Sequence, residues 1–154
     1  MTYREWHKEY VEGNVEEKRD VRKLTQYSSA IEILGRVKNG EIKLNLNHEH
    51  YEKHYKGTNQ YNNYLESRRN RGWGPQARLI ISEEEAQKII YEYHGKGIVY
   101  KSGKNKDKIT EEVNVGKVIG YYVDKGKEYA ATKVRIYYSK YDTHVVPIRG
   151  NNFD

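Results

Sequence analysis

Two histidines have the setting that proton-transfer chemistry requires. His54 lies in the polar segment 53–58, and His144 ends the polar segment 139–144. Cleaving RNA without a metal needs a base that takes the proton of the ribose 2′-hydroxyl and an acid that protonates the departing 5′-oxygen. Imidazole titrates near neutral pH and serves both purposes. We therefore take His54 and His144 as a candidate acid–base pair, against the commoner reading of surface or core histidines.

Cations that could hold a phosphate lie close to the same segments. Lys56, Arg78 and Lys140 are near in sequence to the elements that carry the two histidines, and such side chains stabilise a phosphorane directly. The segment 68–73 combines arginines, including Arg71, with Trp73, and arginine forks bind phosphate while an indole stacks on a base. A solvated charge run is the alternative for this segment.

A metal site is the alternative reading of the histidines. His50 and His54 are spaced i, i+4, as a ligand pair on a helix would be, but Glu49 precedes His50 and no third ligand follows at a zinc-protease spacing. The chain has no cysteine, which excludes disulfides, thiolate–zinc sites and a cysteine nucleophile. Because phosphate-cradling glycine motifs are absent too, we expect neither a metal nor a cofactor.

The composition favours a polyanionic partner. The net charge is +6 and there are 16 tyrosines against one phenylalanine, a mixture in which cations meet phosphates and rings stack on bases. A basic soluble surface is the plainer alternative. No apolar run reaches the roughly 18 residues of a membrane span, and the N-terminus lacks the apolar core of a signal peptide. We expect no membrane association.

The first 40 residues read as a helical appendage. Thr2 and Glu5 fit a helix-capping box. A second apolar stripe of helical spacing, ended by Gly35, comprises Val21, Leu24, Tyr27, Ile31 and Leu34. Such helices can form an oligomer contact or simply pack on the core. We therefore divide the chain into an N-terminal appendage, 1–40, and a second domain, 41–150.

The second domain has α+β patterning. Residues 41–46 alternate as a strand does, and 47–78 read as a long polar loop. Ser82 and Glu85 form a capping box for a helix that ends at Gly95. Strand-like segments follow at 98–101, 111–115, 117–123, 130–139 and 143–149, with a mobile basic loop at 101–108 and a hairpin turn at 140–142. This order predicts a helix packed on an antiparallel sheet of four to five strands.

Separated blocks between residues 53 and 150 resemble the bacterial polymorphic toxin type 50 domain, which is also found at the ends of phage head-morphogenesis proteins. The most specific block is 138–147, close to a tyrosine–serine–lysine run followed two residues later by threonine–histidine–isoleucine–valine–proline. The other blocks are 53–54, 57–58 and 61; 84–87, 93, 95 and 97; 111–113; 116–120 and 122; 132; and 136.

This resemblance implies a barnase/EndoU/RelE-like fold and ribonuclease activity. It marks His54, Glu112, Thr132, Ser139 and His144 as polar positions of the site, with Tyr138 added to the substrate contacts. An exposed strand carboxylate is the alternative for Glu112, and simple β propensity is the alternative for Thr132. Relatives often carry a serine where this chain has Ala77, so loss of that hydroxyl could weaken catalysis.

The N-terminal segment 2–6, with residues 10, 11 and 14, resembles the stretch that precedes such domains in phage head proteins. The leading hypothesis is an RNA endonuclease toxin acting in the cytoplasm of a bacterial target or host cell, and carried in or with a virion. Its partners would be RNA, phage head components and an acidic immunity protein that complements the basic site. A non-catalytic nucleic-acid- or capsid-binding module and a structural phage head protein are the two rivals.

Overall fold

The computed structural model describes residues 22–105 and 107–150. Within these ranges the chain has α+β architecture, as the sequence predicts. The elements in chain order are β1 (Arg22–Lys23), α1 (Gln26–Lys38), α2 (His48–Lys53), α3 (Asn59–Asn70), β2 (Arg78–Leu79), α4 (Glu83–Tyr93), β3 (Ile98–Ser102), β4 (Lys108–Asn114), β5 (Gly120–Asp124), β6 (Lys127–Ala131), β7 (Lys133–Tyr138) and β8 (His144–Ile148). None of these helices has the length and apolar character that a membrane span requires.

The strands form two antiparallel sheets. The main sheet has five strands in the order β1-β3-β4-β7-β8, and a smaller sheet has three in the order β2-β5-β6. The predicted single strand 130–139 is wrong, because the chain leaves the small sheet after β6, passes Thr132 and enters the main sheet as β7. The carbonyl of Thr132 accepts a hydrogen bond from the backbone N–H of Val115 at 2.8 Å.

The main sheet has one apolar face and one polar face. Successive side chains of a strand point to opposite faces, so the register decides which residues share a side. On the apolar face, residues of β4 and β7 pack with α1 and α4 into the core; these include Ile109, Val113, Val134, Ile136 and Tyr138, with Ile33, Ile89 and Ile90 from the helices. The opposite face carries Thr110, Glu112, Arg135 and Tyr137 from the same strands.

Residues 47–78 contain two helices where the sequence pattern predicts a loop. The Asn47 side chain caps α2 by accepting from the N–H of His50 at 2.7 Å, and Thr58 caps α3 by accepting from Tyr61 at 3.0 Å. The inward face of α3 is formed by tyrosines, Tyr61 and Tyr64, rather than by aliphatic residues. The usual aliphatic signal of an amphipathic helix is therefore missing from this stretch.

Two other local predictions are also wrong. Residues 41–46 form no strand; Leu46 alone makes an isolated bridge, to Thr143. Gly35 does not end α1, which continues to Lys38 and is capped by Asn39. By contrast, the predicted start of α4 is confirmed, because Ser82 is its N-cap and the Ser82 hydroxyl accepts from the N–H of Glu85 at 3.1 Å.

Helix α1 contributes to the core of the chain that follows it. Ile33 on its inner face is fully buried, while Tyr27, Ile31 and Leu34 on its outer face are exposed. The division at residue 40 stays a prediction. The helix predicted around Thr2 and Glu5, together with Val21, lies outside the described residues.

Candidate active site

Three histidine rings meet beside the end of the main sheet. His50 lies on α2, His54 caps the C-terminus of that helix, and His144 opens β8. The rings of His50 and His144 stack with centroids 4.0 Å apart, and those of His50 and His54 are 5.0 Å apart. The fold thus joins the two histidines that the sequence singles out, with His50 between them.

His54 is the innermost member of this cluster. Its Nδ1 lies 2.6 Å from the carbonyl oxygen of Ala77. A carbonyl only accepts, so Nδ1 carries the proton and donates it. The residue is 2% exposed, and burial lowers the pKa of His54 to about 4, although the bond to Ala77 opposes that shift. His54 is therefore neutral at pH 7 and fixed in one tautomer.

His144 is the member that meets solvent, with 19% of its side chain exposed. Burial lowers the pKa of His144, and Asp142, whose Oδ1 lies 3.3 Å from the imidazole Nε2, opposes the shift. A carboxylate in this position stabilises the imidazolium form. His144 can therefore hold or release a proton where a substrate can reach it.

A row of polar side chains continues from His144 across the polar face of the main sheet. In the register, His144 pairs with Tyr137, and Arg135 pairs with Glu112. Arg135 and Glu112 form an ion pair, and Arg135 also hydrogen bonds with Tyr137. Burial would lower the pKa of Arg135, but Tyr137 and Glu112 outweigh it and raise that pKa. The row therefore places a carboxylate, a fixed cation, a phenol and an imidazole in sequence on one surface.

Tyr137 lies between Arg135 and His144 in this row. Burial raises the pKa of Tyr137 to about 12, even though the adjacent Arg135 acts in the opposite direction. The phenol therefore stays neutral and can donate a hydrogen bond at physiological pH. The side chain of Ala77 packs on Tyr137 and Val146, so the position at which the family resemblance predicts a serine borders this face.

A cleft of about 510 Å³ opens where His144 and Tyr137 meet α2 and the β7–β8 turn. Its described lining includes His50, Lys53, Thr110, Tyr137, Ser139 and His144. Burial lowers the pKa of Lys53. The cleft is large enough for a small ligand or part of a polymer chain.

The structure gives the residues predicted around the β7–β8 turn different roles. Lys140 is exposed at the lip of the cleft. The Ser139 hydroxyl accepts from the N–H groups of Tyr141 and Asp142 and donates to the carbonyl of Asp142, which shapes the turn. Tyr138 belongs to the apolar face, although it touches the cleft, and its hydroxyl donates to buried Glu111 at 2.6 Å.

Six predicted residues are absent from the described lining of the cleft. Two of them, His54 and Glu112, belong to the histidine cluster and the polar row, and the other four lie elsewhere. Arg78 pairs with Glu128 at 2.6 Å and lies over the ring of Tyr121. Arg71 lies over the ring of Trp73, with 5.1 Å to its centroid, and Lys56 is exposed after α2. Thr132 is half-buried between β6 and β7. The structure groups none of these four with His144.

Sequence reasoning missed Arg135 and Tyr137, considered His50 only as a metal ligand, and named Lys53 only as part of a family block. For the first two a signal existed, because residues alternate along β7 and the β7–β8 turn sets the register opposite His144. In the described parts of the chain, no group of three or more histidine and carboxylate side chains could hold a metal ion.

The family model described as Bacterial toxin 50 matches residues 46–147, from just before α2 to Pro147 within β8. The chain belongs to the Bacterial toxin 50 family. The match includes the whole histidine cluster and the polar row. Neither the curated proteins nor the solved structures contain a significant match to the chain. As a Bacterial toxin 50 domain, the chain is a toxin of the polymorphic type.

Proposed function

We propose that this Bacterial toxin 50 domain is an RNA endonuclease that cleaves by attack of the ribose 2′-hydroxyl on the adjacent phosphate. The observation that carries the proposal is the row Glu112–Arg135–Tyr137–His144 on one face of the sheet. It offers a base, a phosphate-binding cation and an acid, which are the groups that metal-independent transesterification uses.

The spacing of the row suits an in-line displacement. Glu112 and His144 are two strands and two residues apart, so their Cα atoms are separated by roughly 12 Å at ordinary strand spacing and rise. The attacking 2′-oxygen and the departing 5′-oxygen lie on opposite sides of the phosphorus, and the two proton-transfer groups must therefore be separated. Arg135 lies between them, where negative charge builds up on the phosphorane.

In this mechanism Glu112 takes the proton of the 2′-hydroxyl and His144 gives a proton to the 5′-oxygen. The products are a 2′,3′-cyclic phosphate and a 5′-hydroxyl. Arg135 would exchange part of its pairing with Glu112 for the substrate phosphate, which frees the carboxylate to act as a base. Each proton transfer accelerates such reactions by roughly 10²–10⁴-fold.

We assign His54 to positioning rather than to the second proton transfer. Its side chain is 2% exposed, and its Nδ1–H is engaged by Ala77. The ring supports His50, which stacks on His144 and so fixes the plane of that imidazole. A histidine in this role affects catalysis without touching the substrate.

The test is incubation of the purified full chain with total bacterial RNA in excess EDTA, followed by analysis of the new ends. We expect cyclic phosphates and 5′-hydroxyls. Glu112→Gln and His144→Ala should each lower the cleavage rate by roughly 10²–10⁴-fold. His48→Ala is the matched control, since His48 is on the same helix but 62% of its side chain is exposed, and it is not among the described cleft residues.

Wild-type activity in both Glu112→Gln and His144→Ala would refute the assignment of the row. Binding of RNA with a steep salt dependence but no cleavage by the wild-type chain would instead support a non-catalytic nucleic-acid-binding module. New ends that carry a 5′-phosphate would exclude attack by the 2′-hydroxyl.

A further inference from the structure

One aromatic side chain stands at the lip of the cleft with most of its surface in water. Tyr141, in the β7–β8 turn, is 71% exposed and belongs to the lining of the cleft. Tyrosines pack at least their rings in most proteins. In this chain many of them do, including Tyr51, Tyr61 and Tyr64, which are buried. Other exposed tyrosines in the described residues, such as Tyr27 and Tyr91, lie outside the cleft lining, so Tyr141 is placed to cover a ligand that binds in the cleft.

The turn that presents Tyr141 is held in place on several sides. Ser139 Oγ accepts from the N–H of Tyr141 at 3.1 Å, and the side-chain amide of Asn45 donates to the Tyr141 carbonyl at 3.5 Å. The next residue, Asp142, accepts from the side-chain amide of Asn47 at 2.6 Å. Because the backbone is already ordered, a contact with the ring costs little additional conformational entropy.

Positive and negative side chains are balanced around the cleft, so an uncharged contact such as ring stacking can contribute to binding there. Its described lining includes as many carboxylates as lysine and arginine side chains, so electrostatic attraction to a phosphate chain is partly cancelled there. The Nζ of Lys140 lies over one face of the Tyr141 ring, 5.4 Å from its centroid, which leaves the opposite face for a stacked base. A base on the ring would therefore have a cation beside it for an adjacent phosphate.

We propose that Tyr141 is a base-stacking subsite that restricts the substrate to single-stranded RNA, an inference that rests on the proposed function. Tyr141 and His144 are three residues apart, so their Cα atoms are at most about 11 Å from each other. A base on Tyr141 thus belongs to a nucleotide next to or near the scissile phosphate. In a duplex the base faces are already stacked on their neighbours, and the ring has no partner.

Fluorescence anisotropy of a labelled 2′-O-methyl RNA strand of roughly 12 nucleotides tests this subsite, because such a strand lacks the attacking hydroxyl and stays intact. We expect the wild-type chain to bind the single strand more tightly than the same strand annealed to its complement. Tyr141→Ala should weaken single-strand binding roughly tenfold, the usual effect of losing one stacked base, and leave duplex binding unchanged. Tyr141→Phe keeps the ring and should bind within about twofold of wild type.

Tyr91→Ala is the control, since Tyr91 is an exposed tyrosine of α4 that is absent from the described cleft lining. Unchanged single-strand affinity in Tyr141→Ala would overturn the inference. So would equal affinity of the wild-type chain for the single strand and the duplex, or equal weakening of both by Tyr141→Ala. The binding readout needs no catalysis, so failure of the mechanism would appear in the Glu112 and His144 variants and leave this result standing.

Discussion

Two adjacent glutamates on β4 should have opposite effects when they are changed. Glu111 is fully buried on the apolar face, and its carboxylate accepts from the N–H groups of Gly95 and Gly97 at 2.9 and 2.6 Å and from the Tyr138 hydroxyl at 2.6 Å. Glu112 faces the other side, where 20% of its side chain is exposed beside Arg135. We predict that Glu111 determines stability and that Glu112 determines activity.

The magnitude for Glu111 follows from the donors that lose their acceptor. Each buried donor left unsatisfied costs roughly 1–3 kcal/mol, so Glu111→Ala exposes three such penalties. Relief of the desolvation of the buried carboxylate offsets part of that sum. We expect a loss of about 4 kcal/mol for Glu111→Ala, a large part of the roughly 5–15 kcal/mol that stabilises a typical domain.

Glu111→Gln keeps the shape and is measurable even if the alanine variant does not fold. Its amide retains one acceptor oxygen but directs an N–H group at a backbone N–H, so we expect a loss of about 2 kcal/mol. Glu112→Gln keeps an oxygen that accepts from Arg135 and removes only one charge of a largely buried ion pair, so it should cost about 1 kcal/mol. Urea unfolding followed by circular dichroism measures both variants.

Two outcomes of the urea experiment would refute the assignment of Glu111 to stability. The reasoning fails if Glu111→Gln unfolds at the same urea concentration as wild type, or if Glu112→Gln is the less stable of the two. The cleavage rate per folded molecule completes the comparison. It should remain near the wild-type value in Glu111→Gln and fall in Glu112→Gln.

Three further predictions concern the histidine cluster and its surroundings. Burial lowers the pKa of His54 from 6.5 to about 4, so between these pH values the unfolded chain binds more protons than the folded chain. The free energy of unfolding should therefore fall by roughly 3 kcal/mol as the pH drops through this range. His54→Asn, whose amide can donate to Ala77 without titrating, should reduce that pH dependence in urea titrations at pH 4–7. With His144 as the acid, kcat/KM should fall as the pH rises through its lowered pKa, which gives an optimum below pH 6.5; a rate that climbs with pH in the same range would make His144 a base. Ala77→Ser restores a hydroxyl beside Tyr137, and we expect a higher cleavage rate with a nearly unchanged urea midpoint; a slower enzyme would show that the apolar contact with Tyr137 matters more.

The features of the fold that depend on local pattern could be predicted from the sequence. The capping box at Ser82 and the alternation along β7 and β8 are signals carried by neighbouring residues, and they led to the correct helix, hairpin turn and α+β class. Helix α3 was missed because its buried side chains are tyrosines and an arginine, set among asparagines. In such a helix tertiary packing outweighs weak local propensity.

The site illustrates a different limit. Which residues of β7 belong to the candidate site depends on which face of the strand borders it. Adjacent residues point to opposite faces, so a shift of one residue selects a different set. The sequence motif favours Tyr138, but the register opposite His144 selects Tyr137 and, two residues earlier, Arg135. The sequence pattern predicts His54 as a site residue, but its burial depends on tertiary contacts such as the one with Ala77, a residue far along the chain. Side-chain type alone cannot reveal that depth.

The packing of the three imidazoles also determines how many protons the cluster can carry. Two like charges about 4 Å apart inside a protein repel each other strongly. The stacked rings of His50 and His144 are 4.0 Å apart, so protonation of one strongly disfavours protonation of the other. His54 is held neutral by its burial, whereas His144 has the carboxylate of Asp142 beside it. Asp142 favours a proton on His144, the most exposed of the three rings, which is the distribution that the proposed general acid requires.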